Sequence, residues 1–484
     1  MVRRGVLGYV LVLVGGLVVS VLPASSAVAS LPLVADLRSS TGGRMLGLAV
    51  VVVGLGLASS AWLRLVRAAG DLGVREDDRT ALVHRATAAW TLPLLLAPPL
   101  FSRDGWSYAA QGVLTHLGLS PYVWTPSILD GQVVEAVDPM WLATATPYGP
   151  LPLVWGSAAA GLTTDPWLLV VAHRLLALVG LALLAWAVPR LSRWSRVDPA
   201  RASALVLASP LVLAHGVGGV HNDLLMAGLA AVALVVAARH GWLVGALVVG
   251  LGVAVKLPAG VAGVGVVLVT LPAAARVSAR ATRATQVGAV SLLTVVCIGA
   301  VSHLGVGWVH ALGVPGEVQT PLSVSTQLGR LAHLLTGADL VDAFRTAGSV
   351  LLVVVAVTVG LRSRSGDRRT ALRATAAVAL ALVVLSPVVH HWYVLWCLPF
   401  LAAVELPARG WQALLHASWL GGLVAPLDSS LRGADAVIAV GVAVVAATAL
   451  VQAVGHRRAE IRAEVRAGAQ ARTGDASPTS PISR

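Results

Sequence analysis

The stretch Pro166–Val188 reads PWLLVVAHRLLALVGLALLAWAV, and Arg190, Arg193, Arg196 and Arg201 follow at once. At about 1.5 Å of rise per residue, roughly 20 apolar residues cross a hydrocarbon core near 30 Å thick. The stretch is therefore long enough to span a bilayer. The arginines behind it mark the end that stays on the cytoplasmic side.

The rest of the chain repeats this pattern. Of 484 residues, 57% are hydrophobic and 12% charged, and the mean hydropathy is +0.82. A soluble domain carries about 25% charged residues, so the composition predicts an all-α polytopic membrane protein. Cys297 and Cys397 both lie in apolar runs, so neither a disulfide framework nor a zinc-type cysteine spacing is expected. Spans are expected near 5–23, 44–62, 84–101, 166–188, 202–219, 222–238, 242–255, 259–272, 284–304, 347–361, 374–389, 393–406, 411–426 and 434–454, about 13–14 in all. The short, proline-flanked apolar stretch 149–162 reads as an interfacial or re-entrant piece. Residues 1–455 form the expected transmembrane domain.

With Arg3 and Arg4 inside, the inner segments hold 27 of 34 arginines and 10 acidic residues, and the outer ones hold six and 12. This is the positive-inside bias. It accounts for the net charge of +13 without any nucleic acid and puts both termini in the cytoplasm. Arg3-Arg4, the first apolar run and Ala27-Val28-Ala29 also resemble a signal peptide with its cleavage site, whose removal would change the span count. Residues 456–484 are arginine-rich and then Ser/Pro-rich, which suggests a tail lying on anionic headgroups.

Two outer loops are long, 102–165 and 305–346. The first is dense in aromatics (Trp106, Tyr108, Tyr122, Trp124, Trp141 and Tyr148). An interfacial belt accounts for part of that density, but polar groups gather on the same side. Arg103-Asp104, Pro147 to Pro150, His221-Asn222-Asp223, Lys256 and His390-His391-Trp392-Tyr393 all fall at outer ends of spans. Asp104, Tyr108 and Gln111 sit at i, i+4 and i+7, one helix face, where a carboxylate could accept a proton from a substrate hydroxyl. The plainer reading is an Arg–Asp pair that ends a helix. Lys256 is the single lysine against 34 arginines, and Asn222 the single asparagine. A compact ammonium suits one phosphate oxygen where a planar guanidinium does not; the plainer reading is a lysine snorkelling at a helix end. His221, Asn222 and Asp223 exceed what a helix cap requires. His390 and His391 have no evident third partner for a metal, so no metal site is expected. Trp392 and Tyr393 suit either a sugar-stacking wall or the belt.

Taken in order, these motifs resemble those of the polyprenol-phosphate-mannose-dependent α-1,6-mannosyltransferases of actinobacteria, within the GT-C superfamily. The carrying residues are Arg103 to Gly112, Ser120-Pro121-Tyr122, Pro147 to Leu151, His221-Asn222-Asp223, Lys256-Leu257-Pro258, and Ser386-Pro387 through Trp392-Tyr393. Gly105-Trp106 stands where Val-Tyr is expected, and His390-His391 where a proline should precede Trp-Tyr. The resemblance implies a GT-C helical bundle whose large first extracytoplasmic loop carries the catalytic aspartate, Asp104. It implies polyprenyl-phosphate-mannose as donor, no nucleotide sugar, and a glycolipid or mannan acceptor of the lipomannan type in the plasma membrane. The expected contacts are Arg103, Tyr108, Gln111, Tyr148, His221, Asn222, Asp223, Lys256, His391, Trp392 and Tyr393, with Arg174 in reserve for phosphate. No cofactor is expected beyond the lipid-phosphate donor. The competing expectation is a transporter or flippase, since a helix broken at Lys256-Leu257-Pro258 is a transporter feature.

Overall fold

The computed structural model describes residues 1–314 and 318–427, with Ala443 beyond them, and every regular element among these is helical. Six described helices are long and apolar enough to cross a membrane: Val2–Val19, Thr41–Ala69, Pro166–Trp194, Asp223–His240, Val277–Val301 and Val341–Arg362. The pair Pro199–Leu207 and Val212–Gly218, bent by 54° between its halves, makes a seventh if counted as one span. The protein is a polytopic membrane protein. Other expected spans take the form of short or broken helices such as Trp242–Val253 and Leu257–Thr270. The expected span 434–454 and the tail 456–484 lie outside the described residues.

Why the long helices differ in burial follows from their surroundings. Val350, Val353, Val354 and Val357 of Val341–Arg362 are exposed, as a lipid-facing helix permits, because hydrocarbon covers what water would not. Pro199–Leu207, Val212–Gly218 and Asp223–His240 are instead enclosed nearly throughout. The segment around His221–Asp223 is thus the centre of the bundle. Helix Val2–Val19 packs on Thr41–Ala69 through glycines: a Cβ on Gly8 would strike the Gly54 carbonyl, and one on Gly15 that of Gly47. Small residues permit this backbone approach between membrane helices. Tyr9 and Val12 are fully buried there, so removal of this helix as a leader would take both out of the core.

Stretch 149–162 forms the 11-residue helix Pro150–Ala160, too short to span, as a re-entrant piece should be. Arg174, within Pro166–Trp194, is buried and donates to the carbonyls of Leu95 at 2.7 Å, Pro98 at 3.3 Å and Val217 at 3.1 Å. Those carbonyls are free because the chain leaves regular helix at Pro98-Pro99 and in the π-helical turn Val212–Gly218. The guanidinium is committed to backbone, so Arg174 is not a phosphate ligand in reserve.

Candidate active site

Helix Asp104–His116 opens on Asp104, where the helix N-terminus favours a carboxylate. The turn that launches it is tight. Phe101 adopts φ 62°, and a Cβ on Gly105 would press on the Pro99 ring. Trp106 turns away from the site, its Nε1 donating to the Val21 carbonyl at 3.1 Å. The Gly-Trp departure in the motif therefore serves the fold behind the helix.

Asp104, Tyr108 and Gln111 share one face as expected, and all three line a cavity of about 250 Å³. Tyr108 donates to Asp104 Oδ2 at 3.2 Å, and the Tyr108 and Tyr148 hydroxyls are 2.7 Å apart. Because Tyr108 has one hydroxyl proton and gives it to the carboxylate, the proton between the tyrosines belongs to Tyr148. Gln111 Oε1 accepts from the Thr146 hydroxyl at 3.0 Å. Burial pushes the Asp104 carboxyl up, but His221, with His390 and Lys256 beyond it, outweighs this and holds it at about 2. His221 Nδ1 lies 3.4 Å from Asp104 Oδ2.

Tyr148 is carried in by the Pro147–Pro150 loop, which docks on the end of helix Trp242–Val253. Gly149 N donates to Val255 O at 3.0 Å, and Leu151 N to Ala254 O at 2.9 Å. At Gly149 a Cβ would collide with the Ala254 carbonyl. This docking sets Tyr148 beside Lys256. The lysine sits at the break after Trp242–Val253 in an extended conformation, φ −160°, and turns inward, against the snorkelling reading. Its Nζ is 2.8 Å from Asp223 Oδ1 and about 5 Å from the ring centroids of Tyr148, Tyr393 and Trp396. Trp396 Nε1 also donates to Asp223 Oδ1, at 2.6 Å. Lys256 is therefore an ion pair in an aromatic cage.

His221 and Asp223 stand behind the cavity wall and act on residues that line it. The capping reading fails: Asn222 precedes helix Asp223–His240 without a side-chain cap. Its buried amide has no hydrogen-bond partner among the described residues, and Asn222 does not line the cavity. Val220, just before the motif, is a β-branched residue at φ 62°, a conformation that costs strain and tends to occur at functional sites.

Trp392 and Tyr393 are buried and line the cavity, which removes them from a lipid-facing belt. Trp392 stacks on His221 at 3.8 Å and on His390 at 4.4 Å between ring centroids. His390, weighed in the sequence only as a metal ligand, lines the cavity. His391, expected there, does not, and stacks on His215 at 6.3 Å instead. Arg103 is likewise absent from the wall: its guanidinium binds the Ala136 carbonyl at 3.0 Å and lies 3.6 Å from Asp138. It anchors the loop over the helix.

The remaining wall is apolar. Leu257, Pro258, Leu312, Val314, Val318 and Leu382 also line the cavity, several of them supplied by the second outer loop. That loop is tied to the Ser386–Val389 corner: Ser323 donates to the Ser386 carbonyl at 3.0 Å, and Thr320 Oγ1 accepts from Val389 N at 2.9 Å. The cavity wall thus combines a carboxylate, an ammonium and hydroxyl groups with apolar side chains. Among the described residues no group of three metal-ligating side chains occurs.

The chain is also similar to known proteins. The family described as alpha-(1->6)-mannopyranosyltransferase, N-terminal domain, matches residues 2–272, and the MptB C-terminal domain matches residues 319–452. Alpha-(1->6)-mannopyranosyltransferase A of Mycobacterium tuberculosis is 34% identical over 438 residues, covering 85% of this chain and 81% of the relative. Alpha-(1->6)-mannopyranosyltransferase B of Corynebacterium glutamicum is 29% identical over 393 residues, covering 73% and 65%. Together, the helical bundle, the cavity and these matches place the chain in the alpha-(1->6)-mannopyranosyltransferase family, as a glycosyltransferase of the membrane.

Proposed function

We propose that the cavity transfers a mannosyl residue from polyprenyl-phosphate-mannose to a hydroxyl of a cell-envelope glycan or glycolipid of the lipomannan type. The observation that carries this is Asp104: a carboxylate held ionised in a cavity whose wall combines polar groups with apolar side chains. Such a cavity suits an amphiphile with a sugar-phosphate head and a hydrocarbon tail. The acceptor O–H bond breaks with its proton passing to Asp104, while the oxygen forms a bond to the anomeric carbon. The bond from that carbon to the phosphate oxygen breaks, and polyprenyl phosphate leaves with the electron pair. One displacement inverts the anomeric centre, as in inverting glycosidases with the acceptor in place of water. Tyr108, fixed by Tyr148, orients the carboxylate. Lys256 supplies positive charge to the departing phosphate while Asp223 keeps it in place. The site opens to the extracytoplasmic face of the plasma membrane, with both termini in the cytoplasm.

Asp104→Asn keeps the size and hydrogen bonding of the side chain but cannot accept the proton. In membranes given radiolabelled polyprenyl-phosphate-mannose, turnover should fall by at least the ~10²–10⁴ typical of acid–base groups, with donor binding retained. Near-normal turnover in a folded Asp104→Asn protein would remove Asp104 from this role.

A further inference from the structure

A second cleft, of about 390 Å³, lies at the far end of the helices that build the active site. Arg190, Arg193, Arg239, Arg368, Arg369 and Asp367 line it, with Trp194 among them. Arg239 follows Asp223 by 16 residues on one helix, so the two sites are separated by about 24 Å along the helix axis, close to a hydrocarbon thickness. Two of the five guanidiniums have carboxylate partners: Arg193 pairs with Glu76 at 2.5 Å, and Arg369 with Glu405. Asp367 is occupied in capping, its Oδ2 accepting from Thr370 N at 2.8 Å and from the Thr370 hydroxyl. Arg190, Arg239 and Arg368 have no ion pair among the described residues. Arg190 donates to the Trp186 carbonyl, Arg368 reaches the Ala238 carbonyl at 3.5 Å, and Arg239 has only a ring contact, 5.8 Å from Trp186.

Asp367 is the one carboxylate in the lining, so Arg190, Arg239 and Arg368 leave the cleft with a positive excess that attracts an anion. The position favours a lipid. Trp186 lies under Arg190 at 4.3 Å, and Trp194 under Arg368 at 5.8 Å; such aromatics sit at headgroup depth. We infer that this cleft binds a phosphate-bearing anion of two or more negative charges, supplied by the headgroup of an anionic phospholipid of the inner leaflet. Basic pockets between membrane helices on the cytoplasmic side take such headgroups. The site is independent of the transferase chemistry.

The test uses the full-length protein in phosphatidylcholine nanodiscs, titrated with cardiolipin in one arm and inorganic pyrophosphate in the other, with bound ligand and melting temperature as readouts. Cardiolipin should bind and raise the melting temperature of the wild type and of Arg64→Gln/Arg67→Gln, two exposed arginines elsewhere. Arg190→Gln/Arg239→Gln/Arg368→Gln should bind it on the order of 10²-fold more weakly. Arg239→Gln alone, which loses no hydrogen bond, covers the case where the triple variant fails to fold; its loss should be several-fold. If pyrophosphate binds through the same arginines and displaces cardiolipin, the cleft is a phosphate site and the lipid source is overturned. Equal cardiolipin binding by wild type and Arg239→Gln, with the triple variant unchanged or unfolded, overturns the site itself.

Discussion

At the scale of single residues, Lys256 decides most. Its ammonium is shared between a buried carboxylate and three rings, so loss of charge has two consequences that must be separated. Lys256→Met leaves Asp223 buried without its cation, a change that costs about 3–5 kcal/mol in comparable buried pairs. Lys256→Met/Asp223→Asn restores neutrality and should recover most of the melting temperature. If the lysine serves the donor phosphate, donor affinity and turnover stay low in that double variant. Return of both with stability would make the lysine structural. Lys256→Arg keeps the charge but brings a planar fork into a cage of Tyr148, Tyr393 and Trp396. A misplacement of about 1 Å there is worth on the order of 10²-fold in turnover, and wild-type turnover would show that charge alone is sufficient. The rarity of lysine in this chain pointed to the position, but nothing in the sequence paired it with Asp223. That pairing joins residues 33 apart across a helix break, and no local periodicity encodes it.

At the scale of elements, the face Asp104, Tyr108, Gln111 was legible because helical spacing fixes it. Contacts between elements were not. Arg103 was expected at the donor and instead holds Ala136; His391 was expected at the wall and His390 occupies it, because the turn entering His391–Trp396 aims alternate rings differently. Adjacent residues in one motif differ in destination by a backbone rotation that the letters do not carry. The Pro147–Pro150 loop is the element on which the site most depends. Gly149→Ala adds one methyl against the Ala254 carbonyl, an overpacking worth about 1–3 kcal/mol. It should part Tyr148 from Tyr108 and Lys256, and lower turnover by more than it lowers the melting temperature. Full turnover in Gly149→Ala would mean that the loop does not position the site.

For the molecule as a whole, composition and charge asymmetry sufficed to identify a multi-pass helical membrane protein, because the bilayer imposes one length and one sign rule on every span. The division into long and short helices escaped them, since a fully enclosed short helix and a lipid-facing span are equally apolar. Orientation can be read by thiol labelling at exposed positions. Ser127→Cys and Arg330→Cys should react with an impermeant reagent in intact cells, and Arg364→Cys only after permeabilisation. Arg364 is a better probe than its neighbour Ser365, which is buried and donates to the Pro272 carbonyl at 2.8 Å. Labelling of Arg364→Cys in sealed cells would reverse the assignment of faces.

The triple grip of Arg174 bears on how the protein is made. A guanidinium within a lone helix resists entry into lipid by roughly 2.5–3.5 kcal/mol at the bilayer centre. Two of the acceptors that offset this, Leu95 and Pro98, leave the ribosome before Arg174 does, and the third, Val217, leaves after it. Helix Pro166–Trp194 is therefore fully stabilised only once a later segment has folded against an earlier one. The same bonds then fix the chain ahead of Asp104 and the chain ahead of His221 to a common point, so the grip that stabilises this arginine in the bilayer also ties together two segments that lead into the transfer site.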